Sequence, residues 1–180
     1  MASILPNTPL GPLPPEKLKV FRLLRQLPDR FAIWQRLSAK QAGPDFWVRR
    51  KDGCCALLTV AAATAAEVRQ ARQASLFAPA ARPGAAEEEG LERFWAGLGM
   101  PDAEGVRELL PGLVLFPGVP RADLEQALDP PAAGIGRGAK EDLAADALAA
   151  WLDARLGPPL SAAQTDALRR AFTPEVVVPA

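Results

Sequence analysis

A chain of 180 residues, 49% hydrophobic and 23% charged, has a globular composition and is long enough to bury a core without disulfide or metal staples. It has no histidine and only two, adjacent, cysteines, which excludes Ser-His-Asp and Cys-His catalysis and practically excludes a tetrahedral zinc site. The net charge is zero, but residues 1–82 hold 13 Lys and Arg against 5 Asp and Glu, and residues 83–180 hold 8 against 16. The basic half could face a polyanion, or the two halves could simply oppose each other across one folded surface.

Residues 1–14 are Pro-rich and are expected to form a loose arm. Pro15-Glu16 opens a helix, because Pro suits the first turn and Glu suits the positive end of the helix dipole. Leu18, Phe21, Leu24 and Leu27 form its apolar stripe, and Pro28-Asp29 ends it. A strand follows over Phe31–Leu37, with Phe31, Ile33 and Gln35 on one face. Next comes a hairpin. Strand 45–50 runs into the Asp52-Gly53 turn, and the nearly all-apolar strand 54–61 suits a central position covered on both faces. Cys54 and Cys55 point to opposite faces, so they cannot bridge each other, and they fit a reducing compartment.

Thr64 N-caps a helix from about Ala65 to Ser75, with Glu67 placed as in a capping box. Residues 78–89 read as a surface loop that includes a solvated Glu87-Glu88-Glu89 run. A helix is expected at Glu92–Leu98, a short buried strand at Leu113–Phe116 and a helix at Arg121–Leu128. Gly134-Ile-Gly136-Arg-Gly138-Ala-Lys140 resembles a phosphate loop but lacks the Gly-Lys-Ser/Thr spacing, and reads as a flexible loop. Glu141–Leu156 reads as a helix whose face carries Leu143, Ala147, Leu148, Trp151, Leu152 and Leu156. Ser161 and Gln164 form a capping box that opens a last helix to Phe172. The order implies an α/β fold: a small mixed central sheet flanked by helices, with a helical C-terminal part. The expected organisation is an arm at 1–14, an α/β core at 15–130 and a helical extension at 131–180. No run reaches the about 18 apolar residues of a membrane span, and no secretion signal opens the chain, so cytoplasmic residence is the expectation.

Several segments together resemble the nuclease-related domain, a branch of the PD-(D/E)xK nuclease superfamily. They are Glu16-Lys-Leu-Lys-Val-Phe, Leu27-Pro-Asp-Arg-Phe31, Pro44-Asp45-Phe46-Trp47-Val48 and the run from Gly53 to Val60. Val114–Val119 and the Lys140–Leu143 helix start are similar to the tail of members linked to superfamily 1 DNA helicases, and Leu160–Val176 resembles the passage that leads into the helicase body. The resemblance spans roughly residues 15 to 178 as pattern more than identity. It implies a restriction-endonuclease-like sheet. It also implies metal-dependent cleavage by a Glu on the first helix, an Asp at the start of one strand and Glu-x-Lys on the next. Glu16 and Asp45 stand at the first two positions. Thr59 stands where the strand Glu belongs and Ala61 where the Lys belongs. Mg²⁺ prefers hard oxygen ligands, and its attacking water needs a base, so this pattern is that of a degenerate site. Glu67 is the candidate for a migrated catalytic Glu; its other reading is a helix-cap residue.

The resulting expectation is a catalytically inactive, nuclease-like accessory domain of a DNA helicase or DNA-processing protein. It would bind DNA or dock a partner domain, with no cofactor and no metal. The alternatives are an active nuclease that takes Mg²⁺ and uses Glu67, and a pure protein-interaction module. Arg36, Lys40, Arg49, Arg50 and Lys51 are the candidate phosphate-binding residues, supported by Arg22, Arg25 and Arg30. Trp34 and Trp47 alternate with these charges and could stack on bases or pack in the core.

Overall fold

The Asp52-Gly53 turn organises the middle of the chain. Gly53 sits at φ 94°, a conformation that side-chain-bearing residues rarely adopt, and the Asp52 carboxylate accepts the Cys54 backbone N–H at 3.3 Å. The computed structural model describes residues 2–5, 13–36, 43–74, 82–101 and 105–172. In chain order the elements are β1 (Ser3–Leu5), α1 (Pro15–Arg25), β2 (Phe31–Gln35), β3 (Phe46–Arg50), β4 (Cys55–Val60), α2 (Ala65–Ala74), α3 (Ala85–Gly97), α4 (Val106–Leu109), β5 (Gly112–Leu115), α5 (Arg121–Ala127), β6 (Ile135–Gly138), α6 (Leu148–Asp153) and α7 (Ala162–Phe172).

The six strands form one sheet in the order β1-β2-β3-β4-β5-β6. The central meander β2-β3-β4 is antiparallel, while β1 runs parallel to β2, and β5 and β6 continue parallel to β4. The parallel β4–β5 pair needs a crossover, which α2, α3 and α4 supply. β4 is buried along its whole length, as its apolar run requires. The alternating side chains build two cores. On one face Phe31, Ile33, Val48, Leu58 and Leu113 pack against Phe21 and Leu24 of α1 and Trp151 and Leu152 of α6. On the other, Trp47, Leu57, Val114 and Ile135 pack against Val68 of α2, Leu91 and Trp95 of α3, Leu124 of α5 and Leu168 of α7. The fold is the expected mixed α/β class with helices on both faces and a helical C-terminal part.

Four local expectations are corrected. The arm is not wholly loose, because Ser3–Leu5 adds a parallel edge strand and Ile4 is buried in the first core. The Gly134–Lys140 stretch is not simply a loop, because its middle forms β6. Cβ atoms at Gly136 and Gly138 would press on Leu113, Leu115 and Trp151, so glycine lets this edge come in close. The 78–89 stretch turns helical at Ala85, seven residues before the expected helix start. The 141–156 helix is reduced to Leu148–Asp153, preceded by turns. Within those turns the Asp142 carboxylate accepts the Ala139 N–H at 2.9 Å and pairs with Arg121. The Ser161–Gln164 capping box forms in both directions, at 3.2 and 3.0 Å.

Candidate functional site

At the open end of the hairpin, one residue beyond the Phe46–Leu58 pair, Asp45 stands beside Thr59. Its backbone continues the ladder by donating from the Asp45 N–H to the Leu58 carbonyl at 2.8 Å. Both carboxylate oxygens are engaged. Oδ1 takes the Lys17 ammonium at 2.8 Å, and Oδ2 accepts the Val60 backbone N–H at 2.8 Å. The Thr59 hydroxyl, itself buried, reaches the Gly43 carbonyl at 3.4 Å. Lys17, Asp45, Thr59, Val60, Ala86 and Glu87 line a cavity of about 240 Å³ between α1, the hairpin and the start of α3.

Sequence reasoning found Asp45 and Thr59 and missed Lys17 and Glu87. Glu16 is half-buried in the first turn of α1 but does not line the cavity; its neighbour Lys17 does. The roughly 100° between successive helix positions makes that choice, and it depends on how α1 rotates onto the sheet. Ala61 is buried in the second core, so the position expected for a catalytic Lys holds an apolar contact. Glu67 is exposed on α2, its N–H capped by the Thr64 hydroxyl at 3.2 Å, and it does not reach the cavity. The carboxylate that does reach it is Glu87. The glutamate run is not a uniformly solvated face either. Glu88 is buried and pairs with Arg82 and with Arg137, the latter at 3.1 Å.

The divalent ion implied by the resemblance does not fit these residues. Mg²⁺ needs free hard oxygen ligands. Here a cation already holds one Asp45 oxygen and a backbone donor holds the other, while a methyl group stands at Ala61. Among the described residues, no group of three or more His, Cys, Asp or Glu side chains is placed to share a metal ion.

The basic residues do not form one rim. Arg50 bonds Asp52 at 2.7 Å and Asp153 at 3.2 Å, and Arg30 bonds Asp153 at 2.7 Å. These bonds hold the Asp153 carboxyl below its ordinary pKa, Arg30 contributing most, and Arg50 in turn is held above its ordinary value by Asp52 and then Asp153. The Arg36 guanidinium occupies the space that a side chain at Gly43 would need; burial lowers its pKa, with Asp45 opposing. Lys40 lies outside the described residues. Arg49 is half-buried, its Nε fully buried without a hydrogen-bond partner, and among the described residues it has no carboxylate partner. Lys51 is exposed at the turn, in the field of Asp29. Trp47 is fully buried and stacks on Trp34 with ring centroids 4.1 Å apart and planes 23° apart, so core packing is its main role. Trp34 is only half-buried.

Compared with protein-family models, curated proteins and solved structures, the chain matches none. Among the described residues, no helix is long and apolar enough to cross a membrane.

Proposed function

We propose that this chain is a nuclease-shaped domain that does not cut phosphodiester bonds and acts as a DNA-binding or docking module of a DNA-processing protein. Its partner would be a helicase domain of the same polypeptide or a second protein. The observation that carries this reading is the closed state of Asp45. The Asp45 carboxylate ties α1 to the end of β4 through Lys17 and the Val60 N–H, and Thr59 rather than a second acid stands beside it on the hairpin. Its work in this reading is structural, fixing the first helix against the hairpin.

The test is incubation of the chain with single- and double-stranded DNA and Mg²⁺ or Mn²⁺. Intact DNA is the expected result. Cleavage that vanishes in Asp45→Ala overturns the reading. Glu87→Ala belongs in the same assay, because Glu87 is the second carboxylate on that cavity and is the residue a surviving nuclease would recruit.

A further inference from the structure

The helices of the second face do not cover it evenly. Their buried contacts run over Trp47, Cys55, Leu57, Val114 and Ile135, that is, over β3 to β6, with Trp34 of β2 packed part-buried against their edge. Towards β1 and β2 the same face opens. Ser3 is exposed, and Ala32 and Trp34 are half-buried. The register lines these residues up across the strands, with Ser3 beside Ala32 and Ala32 beside Arg49, and, one row on, Leu5 beside Trp34 and Trp34 beside Trp47. Ser3 and Ala32 therefore lie in one row with Arg49, and Trp34 and Trp47 lie in the next row of the pleated surface. Solvent reaches the Trp34–Trp47 stack only through Trp34, since Trp47 is 0% exposed.

The strip carries three cations, with Asp29 near Lys51 and Asp45 near Arg36. Arg49 has no carboxylate partner among the described residues, and its buried Nε lacks a hydrogen-bond acceptor. Lys51 stands exposed at the turn next to it, and Arg36 follows just past the end of β2, nearer Asp45. By contrast, Arg50, the next residue on β3, points to the other face and is saturated by Asp52 and Asp153. A flat strip with one accessible indole, small residues beside it and an uncompensated arginine is suited to a polyanion whose aromatic rings are free to stack. Duplex DNA hides its bases in the stack, whereas a single strand offers both a ring and a phosphate.

We propose that the β1–β2–β3 face binds single-stranded DNA, with an unpaired base stacked on Trp34 and the backbone phosphate held by Arg49, assisted by Lys51. The proposal rests on the reading of this chain as a non-cutting DNA-binding domain and names the form of DNA and the surface.

The experiment is titration of the chain with an oligo-thymidine of about fifteen nucleotides, followed by tryptophan fluorescence and repeated across salt concentrations. Trp47, Trp95 and Trp151 are buried, so quenching reports Trp34. Binding is expected to quench, to weaken as salt rises and to exceed binding of a duplex of equal length. Trp34→Leu is expected to weaken binding roughly tenfold or more, and Trp34→Phe, which keeps a ring, less. Arg49→Gln is expected to reduce the slope of log affinity against log salt by about one, and Arg50→Gln to leave it unchanged. Far-UV circular dichroism identifies any variant that fails to fold. Absent quenching at low salt, equal affinity for duplex, preference for a ribo-oligomer, or folded Trp34→Leu and Arg49→Gln variants that bind like the parent would each overturn the proposal. The two readings fail separately. DNA that is cut but also bound by the strip removes the non-cutting reading alone. DNA that is neither cut nor bound removes this inference alone.

Discussion

Arg49 and Arg50 are neighbours on β3, yet the two faces of the hairpin use them in opposite ways. Arg50 faces α6, where Asp153 joins it to Arg30 and where Asp52 folds back from the turn. Arg49 faces the sheet surface that β1 and β2 leave open, and among the described residues no carboxylate answers it. The lesson is that a run of basic residues on a strand is not a patch. The pleat sends alternate side chains to opposite faces, so Arg49-Arg50-Lys51 is divided between a closed ionic network and an open strip.

That contrast can be broken by mutation. The largest expected effect is at the floor of the open strip. Trp47→Ala removes a fully buried indole and is expected to cost about 3–5 kcal/mol in denaturant unfolding. Trp34→Ala should cost clearly less, because its ring is part-solvated. Equal losses would make Trp34 a core residue and close the open face. Next is Asp45→Ala, which strips Lys17 of its partner and the Val60 N–H of its acceptor. A loss of about 1–3 kcal/mol is expected by urea unfolding, and a neutral result would detach the hairpin end from α1.

On the closed face the effect is smaller and depends on pH. The Asp153 pKa is lowered in the folded chain, chiefly by Arg30 and then by Arg50. A lowered folded pKa stabilises above the unfolded value of about 4 and is lost as pH falls through the folded value. Asp153→Asn should therefore lower Tm by a few degrees at neutral pH, with the gap from the parent closing as the solution is acidified. A gap that persists in acid would mean that Asp153 acts by packing. The smallest effect is expected at Arg49. Arg49→Gln should change stability within about 0.5 kcal/mol, because it breaks no ion pair among the described residues, and a large loss would reveal a structural arginine.

The hairpin, α1, β2, β5, α5 and α7 were legible because each carries a local device: the Asp-Gly turn, Pro in the first helical turn, period-two apolar residues, and the Ser161–Gln164 box. β1 and β6 were not. A three-residue strand has little pattern of its own and forms because β2 offers an unpaired edge. Gly136 and Gly138 look like loop residues until Leu113, Leu115 and Trp151 are set against them. At the candidate site, Asp45 and Thr59 were legible from their place on the hairpin. Lys17 and Glu87 were not, because they arrive from α1 and α3, and no spacing in the chain records that meeting.

The sequence by itself determined the mixed α/β class, the central hairpin and the lack of histidine-based chemistry, because turn geometry, apolar periodicity and residue inventory are local properties. Only the tertiary structure decided that Asp45 is closed by Lys17, that Glu88 is buried between two arginines, and that Arg49 and Arg50 part company. Those outcomes depend on which charges the packing of helices on the two faces of the sheet brings within a few ångströms, and over such distances burial and Coulomb attraction outweigh anything the order of residues expresses.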